Sequence, residues 1–164
     1  MEPDIDWRRL LEERGSALVL YARQWTDSLA DAEDAVQEGF IRFWKARESG
    51  VGDQIAILYV SVKRSALDRR RSETRRNARE RFAAETGDKL YFQKTAIEYE
   101  ERRQAIEKAL EELPDSQREV LVMKIWGELT FKQIAEALGE SQNTVASRYR
   151  YGLQALRHLV DRNT

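Results

Sequence analysis

The chain has 164 residues, enough for one ordinary domain or two small ones, and its formal net charge of -1 indicates neither an acidic nor a basic partner. Because there is no cysteine and only one histidine, the composition excludes disulfides and thiolate metal sites and argues against a histidine-based metal site or catalytic triad. No apolar run approaches the roughly 20 residues that cross a bilayer, and the N-terminus lacks the apolar core of a signal peptide. We therefore expect a soluble, cytoplasmic protein with no cofactor and no membrane insertion.

Apolar residues recur at three- and four-residue steps along almost the whole sequence, which predicts an all-α fold. In the first block, which ends at about residue 82, this spacing predicts one or two helices, then a helix starting near Asp31 and another from Ile55. Trp25 and Trp44 lie on the apolar stripes of these helices, so we expect both to pack in the core. The stretch 48–53 contains two glycines and is expected to form a loop.

The charges are distributed unevenly, and basic residues concentrate at the end of the first block. Residues 63–81 contain nine basic and three acidic side chains, a net charge of +6, whereas acidic residues concentrate between positions 98 and 119. A local excess of this kind is typical of a site that binds a polyanion such as DNA.

The helical periodicity is lost after residue 82, and we interpret residues 83–97 as a linker between two small helical domains. In the second block, Pro114 stands where a new helix can start. The apolar stripe of this helix is expected to include Met123 and Ile125, and Gly127 is expected to end it.

Residues 131–145 have the features of a helix-turn-helix. Ala135 supplies the small side chain that two steeply crossing helices need at their contact, and Gly139 tolerates the positive φ of a tight turn. Thr130 and Ser141 are each placed to cap the helix that follows. The second helix begins with polar residues that can read base edges or bind phosphate: Gln142, Asn143, Thr144, Ser147 and Arg148. The sequence therefore predicts a DNA-binding module.

Two groups of motifs resemble those of a known protein family. Residues 113–121 read LPDSQREVL, and with IAEALG at 134–139 and TVASR at 144–148 they resemble the fourth conserved region of the sigma-70 family of bacterial RNA polymerase sigma factors. DAEDAVQEGF at 31–40 resembles the second conserved region, and ALDRRR at 66–71 resembles its basic end. The motifs stand in the family's order, and they look most like the extracytoplasmic-function group.

This resemblance implies an alternative sigma factor, which directs core RNA polymerase to promoters and is not itself an enzyme. The region 2-like domain would span residues 1–82, and the region 4-like helix-turn-helix domain would span residues 98–164. Members of the group are often held by an anti-sigma factor, so such a protein is a further expected partner.

The resemblance also implies three sets of functional residues. The second domain would contact the β flap of the polymerase, and the first would dock on its β′ clamp through Asp34, Gln37, Glu38 and Arg42. The residues expected to hold the minus-ten element are Gln54, Lys63, Arg64, Arg69, Arg70 and Arg71. The residues expected to contact the minus-35 element are Thr130, Gln142, Asn143, Thr144, Ser147, Arg148, Arg150 and Tyr151.

The residues by themselves leave two other functions open. A stand-alone DNA-binding regulator would use the same C-terminal module, but it would not need Gln37 and Glu38 on a docking face. A helical nuclease could use Asp31, Glu33 and Asp34 as metal ligands, although the sequence shows neither a cluster from several helices nor a base. Run-off transcription with purified core polymerase distinguishes these functions.

Overall fold

The computed structural model describes residues 6–46, 52–73 and 100–163, and every regular element within them is helical, as predicted. The helices of the N-terminal half are α1 at Trp7–Arg23, α2 at Leu29–Ala46 and α3 at Gln54–Glu73. No helix in the described ranges is both long and apolar enough to cross a membrane. The predicted linker at 83–97 lies outside the described residues, and the domain boundaries at 82 and 98 stay a prediction.

A polar side chain precedes each of these three helices and caps it. Asp6 and Asp53 accept hydrogen bonds from the first backbone N–H groups of α1 and α3. Ser28 Oγ accepts a hydrogen bond from Asp31 N at 3.1 Å, and α2 therefore begins at Leu29, slightly before the predicted start. These caps satisfy N–H groups that have no acceptor within their own helix.

Helices α2 and α3 approach each other closely at a glycine. A Cβ atom on Gly39 of α2 would lie 2.7 Å from Val62 Cα in α3. Since ordinary carbon–carbon contacts are about 3.5–4.0 Å, a side chain at this position has no room. Phe43, Leu58 and Tyr59 are fully buried nearby, so the two helices share the core of the N-terminal half.

The helices of the C-terminal half are α4 at Glu100–Glu112, α5 at Asp115–Leu121, α6 at Phe131–Leu138 and α7 at Gln142–Asn163. Pro114 stands directly before α5, where its missing N–H removes no helical hydrogen bond, as the sequence predicts. Helix α7 packs on α5 at Gly152, where a Cβ atom would lie 3.2 Å from Leu121 Cδ1. This packing fixes α7 on the helical core of the C-terminal half.

A π-helical turn at Val122–Trp126 follows α5 and changes which side chains are buried. Gly127 N donates a hydrogen bond to Val122 O, five residues back, at 3.0 Å, so the turn holds one residue more than an α-helical turn. Met123 is buried as predicted, but Ile125 is 39% exposed. The prediction that Ile125 joins the buried stripe is wrong because the extra residue shifts it out of the α-helical period.

Gly127 ends this segment as predicted, but it is needed for space and not for its backbone conformation. Its φ is -77°, whereas the following Glu128 has a φ of 57° and occupies the left-handed region. A Cβ atom on Gly127 would lie 2.5 Å from both Met123 O and Tyr59 Oη. A side chain at this position has no room because the backbone carbonyl of Met123 lies within the same turn and the Tyr59 hydroxyl of α3 packs against it.

The two halves thus pack against each other. Helix α3 contacts α6, and α1 contacts the π-helical turn. Buried side chains from both halves form one continuous hydrophobic cluster, which includes Tyr59 from the first half and Met123 from the second.

Candidate nucleic-acid interface

The helix-turn-helix consists of α6, a short turn and the start of α7. Thr130 Oγ1 accepts a hydrogen bond from Gln133 N at 3.1 Å, and Gln133 Oε1 accepts one from Thr130 N at 2.9 Å. This reciprocal pair satisfies two N–H groups at the start of α6. Gly139 has a φ of 65°, and Glu140 N then donates to Ala135 O at 3.0 Å. The predicted cap and the predicted turn glycine are both confirmed.

The first turn of α7 presents polar side chains at the surface. Ser141 Oγ accepts a hydrogen bond from Thr144 N at 3.1 Å, which confirms the predicted cap of α7. Val145 is completely buried beneath this turn, while Gln142 and Asn143 are exposed. The half-buried members of the predicted minus-35 set are Thr144, Ser147 and Arg148. A buried anchor beneath an exposed polar turn is the arrangement that lets a helix enter a DNA groove.

Arg148 and the remaining residues of that set differ in their surroundings. Arg148 Nη2 lies 3.2 Å from Glu140 Oε1, so the guanidinium is held beside the turn between α6 and α7. The Arg150 guanidinium lies 5.1 Å from the centroid of the Tyr151 ring, which is 56% exposed. Thr130 is exposed, but its hydroxyl already accepts the hydrogen bond that caps α6. An exposed arginine stacked on tyrosine can contact phosphates or bases.

The residues predicted to hold the minus-ten element differ in their exposure and in their partners. Lys63 faces the C-terminal half, where its Nζ lies 2.9 Å from Glu119 Oε1. Arg64 and Arg70 are exposed, and Gln54 is half-buried. The side chain of Arg71 lies outside the described residues. Arg64 and Arg70 are therefore the members of the set that the surface presents most openly.

Ion pairs join α2 and α3 at the residues predicted to bind polymerase. Arg69 lies 3.4 Å from a carboxylate oxygen of Asp34 and 3.5 Å from one of Glu38. Arg42 Nη2 donates to Asp68 Oδ2 at 2.7 Å. One arginine of the minus-ten set thus contacts two carboxylates of the polymerase set. Partly exposed pairs contribute at most about 1 kcal/mol each, so a partner can replace them at small cost.

Gln37 is the remaining residue of the set predicted to bind polymerase. It lines an apolar groove of about 370 Å³ between α1 and α2. The groove is lined by Leu11, Gln37, Phe40, Ile41, Trp44 and Lys45. Ile41 is 58% and Trp44 is 39% exposed. The prediction that Trp44 packs in the core is wrong, whereas Trp25 is buried as predicted. This groove could have been predicted from the sequence, because residues 37, 41 and 44 follow one another at helical spacing and therefore share one face of α2.

Glu119 is a buried carboxylate at the contact between the halves, and no function was predicted for it from the sequence. Tyr21 Oη donates a hydrogen bond to Glu119 Oε1 at 2.6 Å, and Lys63 Nζ donates to the same oxygen. Burial, followed by the charge of Glu119, raises the pKa of the Tyr21 hydroxyl well above its ordinary value of 10.0. Tyr21 therefore keeps its proton and remains a donor to Glu119 at neutral pH.

The carboxylates considered for a nuclease do not form a metal centre in the described ranges. Asp31, Glu33 and Asp34 lie on one helix, and no group of three histidine, cysteine, aspartate or glutamate side chains there could hold a metal ion.

Both halves of the chain match models of known protein families. Residues 10–76 match the model described as Sigma-70 region 2, and residues 103–156 match Sigma-70, region 4. The ECF RNA polymerase sigma factor SigK of Mycobacterium tuberculosis (strain H37Rv) is 32% identical over 136 residues, covering 79% of this chain and 72% of that protein. The ECF RNA polymerase sigma factor SigL of Mycobacterium tuberculosis (strain Erdman) is 31% identical over 154 residues, covering 92% of this chain and 86% of that protein.

A solved structure with a similar fold is the sigma factor RpoE from Bartonella quintana in complex with the anti-sigma factor NepR. Its TM-score is 0.61 at 20% identity, over 95% of this chain and 97% of that chain. Two family regions in one chain, in the expected order, argue against a stand-alone regulator and against a nuclease. The chain therefore belongs to the extracytoplasmic-function group of the sigma-70 family, whose members are RNA polymerase sigma factors that act in transcription initiation and are not enzymes.

Proposed function

We propose that this sigma factor binds core RNA polymerase through α2, reads a minus-35 element through α7 and holds a minus-ten element through α3. The observation that carries the proposal is the capped helix-turn-helix. In it, buried Val145 anchors α7 while Gln142 and Asn143 remain exposed on the first turn. The major groove of B-DNA is wide enough for one α-helix, so this turn can approach the base edges.

The side chains on this turn suit the chemistry of base recognition. The amides of Gln142 and Asn143 each donate and accept hydrogen bonds, which fits the major-groove edge of adenine. The guanidinium of Arg148 fits guanine or a phosphate. Because Arg148 lies 3.2 Å from Glu140, contact with DNA would exchange one anionic partner for another. We therefore assign base reading first to Gln142 and Asn143.

The apolar groove between α1 and α2 supports docking of polymerase on this side of the chain. Exposed Ile41 and Trp44 offer apolar anchors next to Gln37, and buried anchors of this kind carry most of the energy of protein interfaces. The charged residues Asp34 and Glu38 lie on the same helix and add polar contacts. We assign the groove to the β′ clamp and the C-terminal domain to the β flap.

On α3, the exposed arginines supply positive charge for the minus-ten strand. Each phosphate that Arg64 or Arg70 neutralises would release condensed counterions. Replacing either arginine by alanine would therefore reduce the salt slope of DNA binding by about 1. Lys63 would add a third cation once it separates from Glu119.

Run-off transcription with purified core polymerase on promoter fragments recovered from cells tests the proposal. We expect a transcript that depends on the chain. Changing Gln142→Ala together with Asn143→Ala should reduce it about tenfold or more, because each lost bidentate contact costs about 1–3 kcal/mol. Gln154→Ala, which removes an exposed amide further along α7, is the matched control. No chain-dependent transcript, or equal effects of the two changes, would contradict the proposal.

Direct binding of labelled chain to core polymerase tests the docking face. Gln37→Ala with Glu38→Ala, and separately Ile41→Ser, should each raise the Kd about tenfold, equivalent to about 1.4 kcal/mol. Gln154→Ala again serves as the control, and circular dichroism checks that the helices persist. If both docking variants bind core with unchanged affinity, α2 is not the docking face.

RpoE of Bartonella quintana was solved with an anti-sigma factor, and we propose that this chain has such an inhibitor. A protein that forms a one-to-one complex with the full chain and abolishes the run-off transcript would establish it. Because the proposed partner polymerase acts in the bacterial cytoplasm, we place the chain in that compartment.

A further inference from the structure

A carboxylate in the turn of the helix-turn-helix contacts an arginine of the helix that follows. Glu140 lies between α6 and α7, and its Oε1 accepts a hydrogen bond from Arg148 Nη2 at 3.2 Å. The Glu140 side chain is 39% exposed and that of Arg148 is 30% exposed, so the pair lies at the surface. Arg148 belongs to the predicted minus-35 set, whereas Glu140 does not.

Hydrogen bonds fix the backbone on both sides of Glu140. Its own N–H donates to Ala135 O at 3.0 Å. On the other side, Ser141 Oγ accepts a hydrogen bond from Thr144 N at 3.1 Å and donates one to Thr144 Oγ1 at 2.9 Å. The Glu140 carboxylate therefore extends from a well-held backbone, and its contact restricts the rotamers of the long Arg148 side chain.

The contact leaves most of the Arg148 guanidinium available to DNA. A guanidinium has several N–H donors, and within the described residues Glu140 accepts from one of its nitrogens, Nη2. The edge of guanine accepts a pair of hydrogen bonds from an arginine at O6 and N7. This edge is neutral, so it can use the remaining donors while Glu140 stays in place. A phosphate is anionic and would have to compete with Glu140 for the guanidinium.

The pair also changes the electrostatic attraction between this helix and DNA. Glu140 and Arg148 together carry no net charge, so they add nothing to the attraction that any sequence exerts through its phosphates. Without Glu140, the charge of Arg148 would be free to neutralise one phosphate at any site. The carboxylate should therefore lower affinity for DNA in general and increase the difference between the right and the wrong base.

We propose that Glu140 is a positioning residue that directs Arg148 to a guanine of the minus-35 element and keeps it from the phosphates. The guanine contact rests on the proposed function of α7 as the helix that reads this element. The hold of Glu140 on Arg148 does not depend on that function and can be measured in the free chain.

Nuclear magnetic relaxation of the Arg148 Nε–H group in the free full chain measures this hold. Glu140→Ala should lower the order parameter of this group, because the guanidinium loses its acceptor. Glu112→Ala is the matched control, since it removes a carboxylate that contacts Arg162 at 3.0 Å, about 21 Å further along α7 at about 1.5 Å per residue. It should leave Arg148 unchanged. An order parameter that is the same in Glu140→Ala as in the unchanged chain would overturn the positioning role.

Selection from a randomised minus-35 element tests what the hold does for recognition. The chain with core polymerase is bound to promoter fragments randomised in this element, and the bound DNA is sequenced. We expect a preference for guanine at one position, which Arg148→Ala should reduce about tenfold or more. Glu140→Ala should reduce the same preference by up to about fivefold, since a partly exposed pair contributes at most about 1 kcal/mol. Glu112→Ala should leave the preference unchanged.

The salt dependence of binding gives a second readout on the same complexes. On DNA that lacks this guanine, Glu140→Ala should bind more tightly than the unchanged chain, and its salt slope should be steeper by about 1. Weaker binding, or an unchanged slope, would contradict the claim that Glu140 keeps Arg148 from the phosphates.

Combining the two changes shows whether Glu140 acts through Arg148. Once residue 148 is alanine, Glu140→Ala should alter neither the base preference nor the salt slope any further. A carboxylate that merely repels DNA would still weaken binding in that background. One that itself accepts a hydrogen bond from cytosine would still affect the preference. Either remaining effect would overturn the proposal.

The outcomes separate this inference from the proposed function. If Gln142→Ala with Asn143→Ala abolishes the minus-35 preference but Glu140→Ala leaves the guanine preference intact, the role of Glu140 alone is refuted. A complex with no minus-35 preference at all would refute the proposed function of α7, and the guanine contact with it. The order parameter of Arg148 in the free chain decides in either case whether Glu140 holds this side chain.

Discussion

Replacing Gly39 by alanine perturbs the contact between α2 and α3 in the N-terminal half. The new Cβ atom would lie 2.6 Å from Val62 Cγ2, 2.7 Å from Val62 Cα and 2.9 Å from Val62 N. Two of these neighbours are backbone atoms, so a change of rotamer cannot relieve the clash. To reach ordinary contact distances of about 3.5–4.0 Å, the two helices must separate by roughly 1 Å.

The magnitude follows from two opposing effects. Forcing extra volume into a packed core costs typically about 1–3 kcal/mol, and backbone contact at a fully buried residue places this site in the upper part of that range. Alanine in place of glycine in a helix returns about 0.8–1.0 kcal/mol. We expect a net loss of about 1–2 kcal/mol in the free energy of unfolding.

Urea unfolding of the full chain, followed by circular dichroism, measures this loss as a lower midpoint with an unchanged slope. Gly15→Ala in α1 is the matched control, because its new Cβ atom would meet Leu11 Cδ1 at an ordinary 3.6 Å. That variant should be stabilised by up to about 1 kcal/mol through helix propensity alone. Equal stabilisation of both variants would refute the close approach of α2 and α3 at Val62.

Three further predictions concern the turn, the cap and the buried tyrosine. Gly139→Ala should lower stability by about 1–2 kcal/mol in thermal unfolding although no atom crowds the site, because the φ of 65° strains any residue with a Cβ, and an unchanged melting temperature would contradict this. Thr130→Ala should lower the free energy of unfolding by about 1 kcal/mol and speed hydrogen exchange of the backbone N–H of Gln133, which loses its acceptor. Unaltered exchange of this N–H would exclude the cap. Burial holds the pKa of Tyr21 well above 10.0, so above pH 10 the unfolded chain loses this proton first and the free energy of unfolding falls, by at most about 1.4 kcal/mol per pH unit. Urea unfolding between pH 9 and about pH 11 measures how steeply the free energy of unfolding falls with pH. This fall should be shallower in Tyr21→Phe than in the unchanged chain and the same in Tyr151→Phe, whereas equal slopes in all three would count against the buried hydroxyl.

The parts that sequence predicted best depend on residues close together in the chain. Thr130 and Gln133 cap one helix, and Gly139 turns the chain within a few residues, so local spacing contains the whole signal. The all-α fold follows from periodicity for the same reason. Gln142 and Asn143 directly follow the capping residue of α7, which is why their exposure at the start of that helix could be expected.

The parts that sequence missed depend on distant residues or on a departure from the α-helical period. Glu119 lies 98 residues from Tyr21 and 56 from Lys63, and no periodicity relates such positions. Ile125 was misplaced because a single added residue in a helix leaves no local composition signal. Trp44 was misplaced because an apolar stripe predicts burial without indicating whether the chain itself or a partner covers it.

The π-helical turn at Val122–Trp126 has a consequence for how the length of this chain can vary. A π-helical turn holds one residue more than an α-helical turn, so the extra residue in this turn need not change the direction of α5 before it. Deleting one residue within the turn would restore an α-helical path, so the helix-turn-helix would keep its direction relative to α5. The same deletion inside α7 would rotate all later side chains by about 100° around the helix axis. Natural variants that differ in length by one residue are therefore expected at this turn and not within the helix that reads DNA.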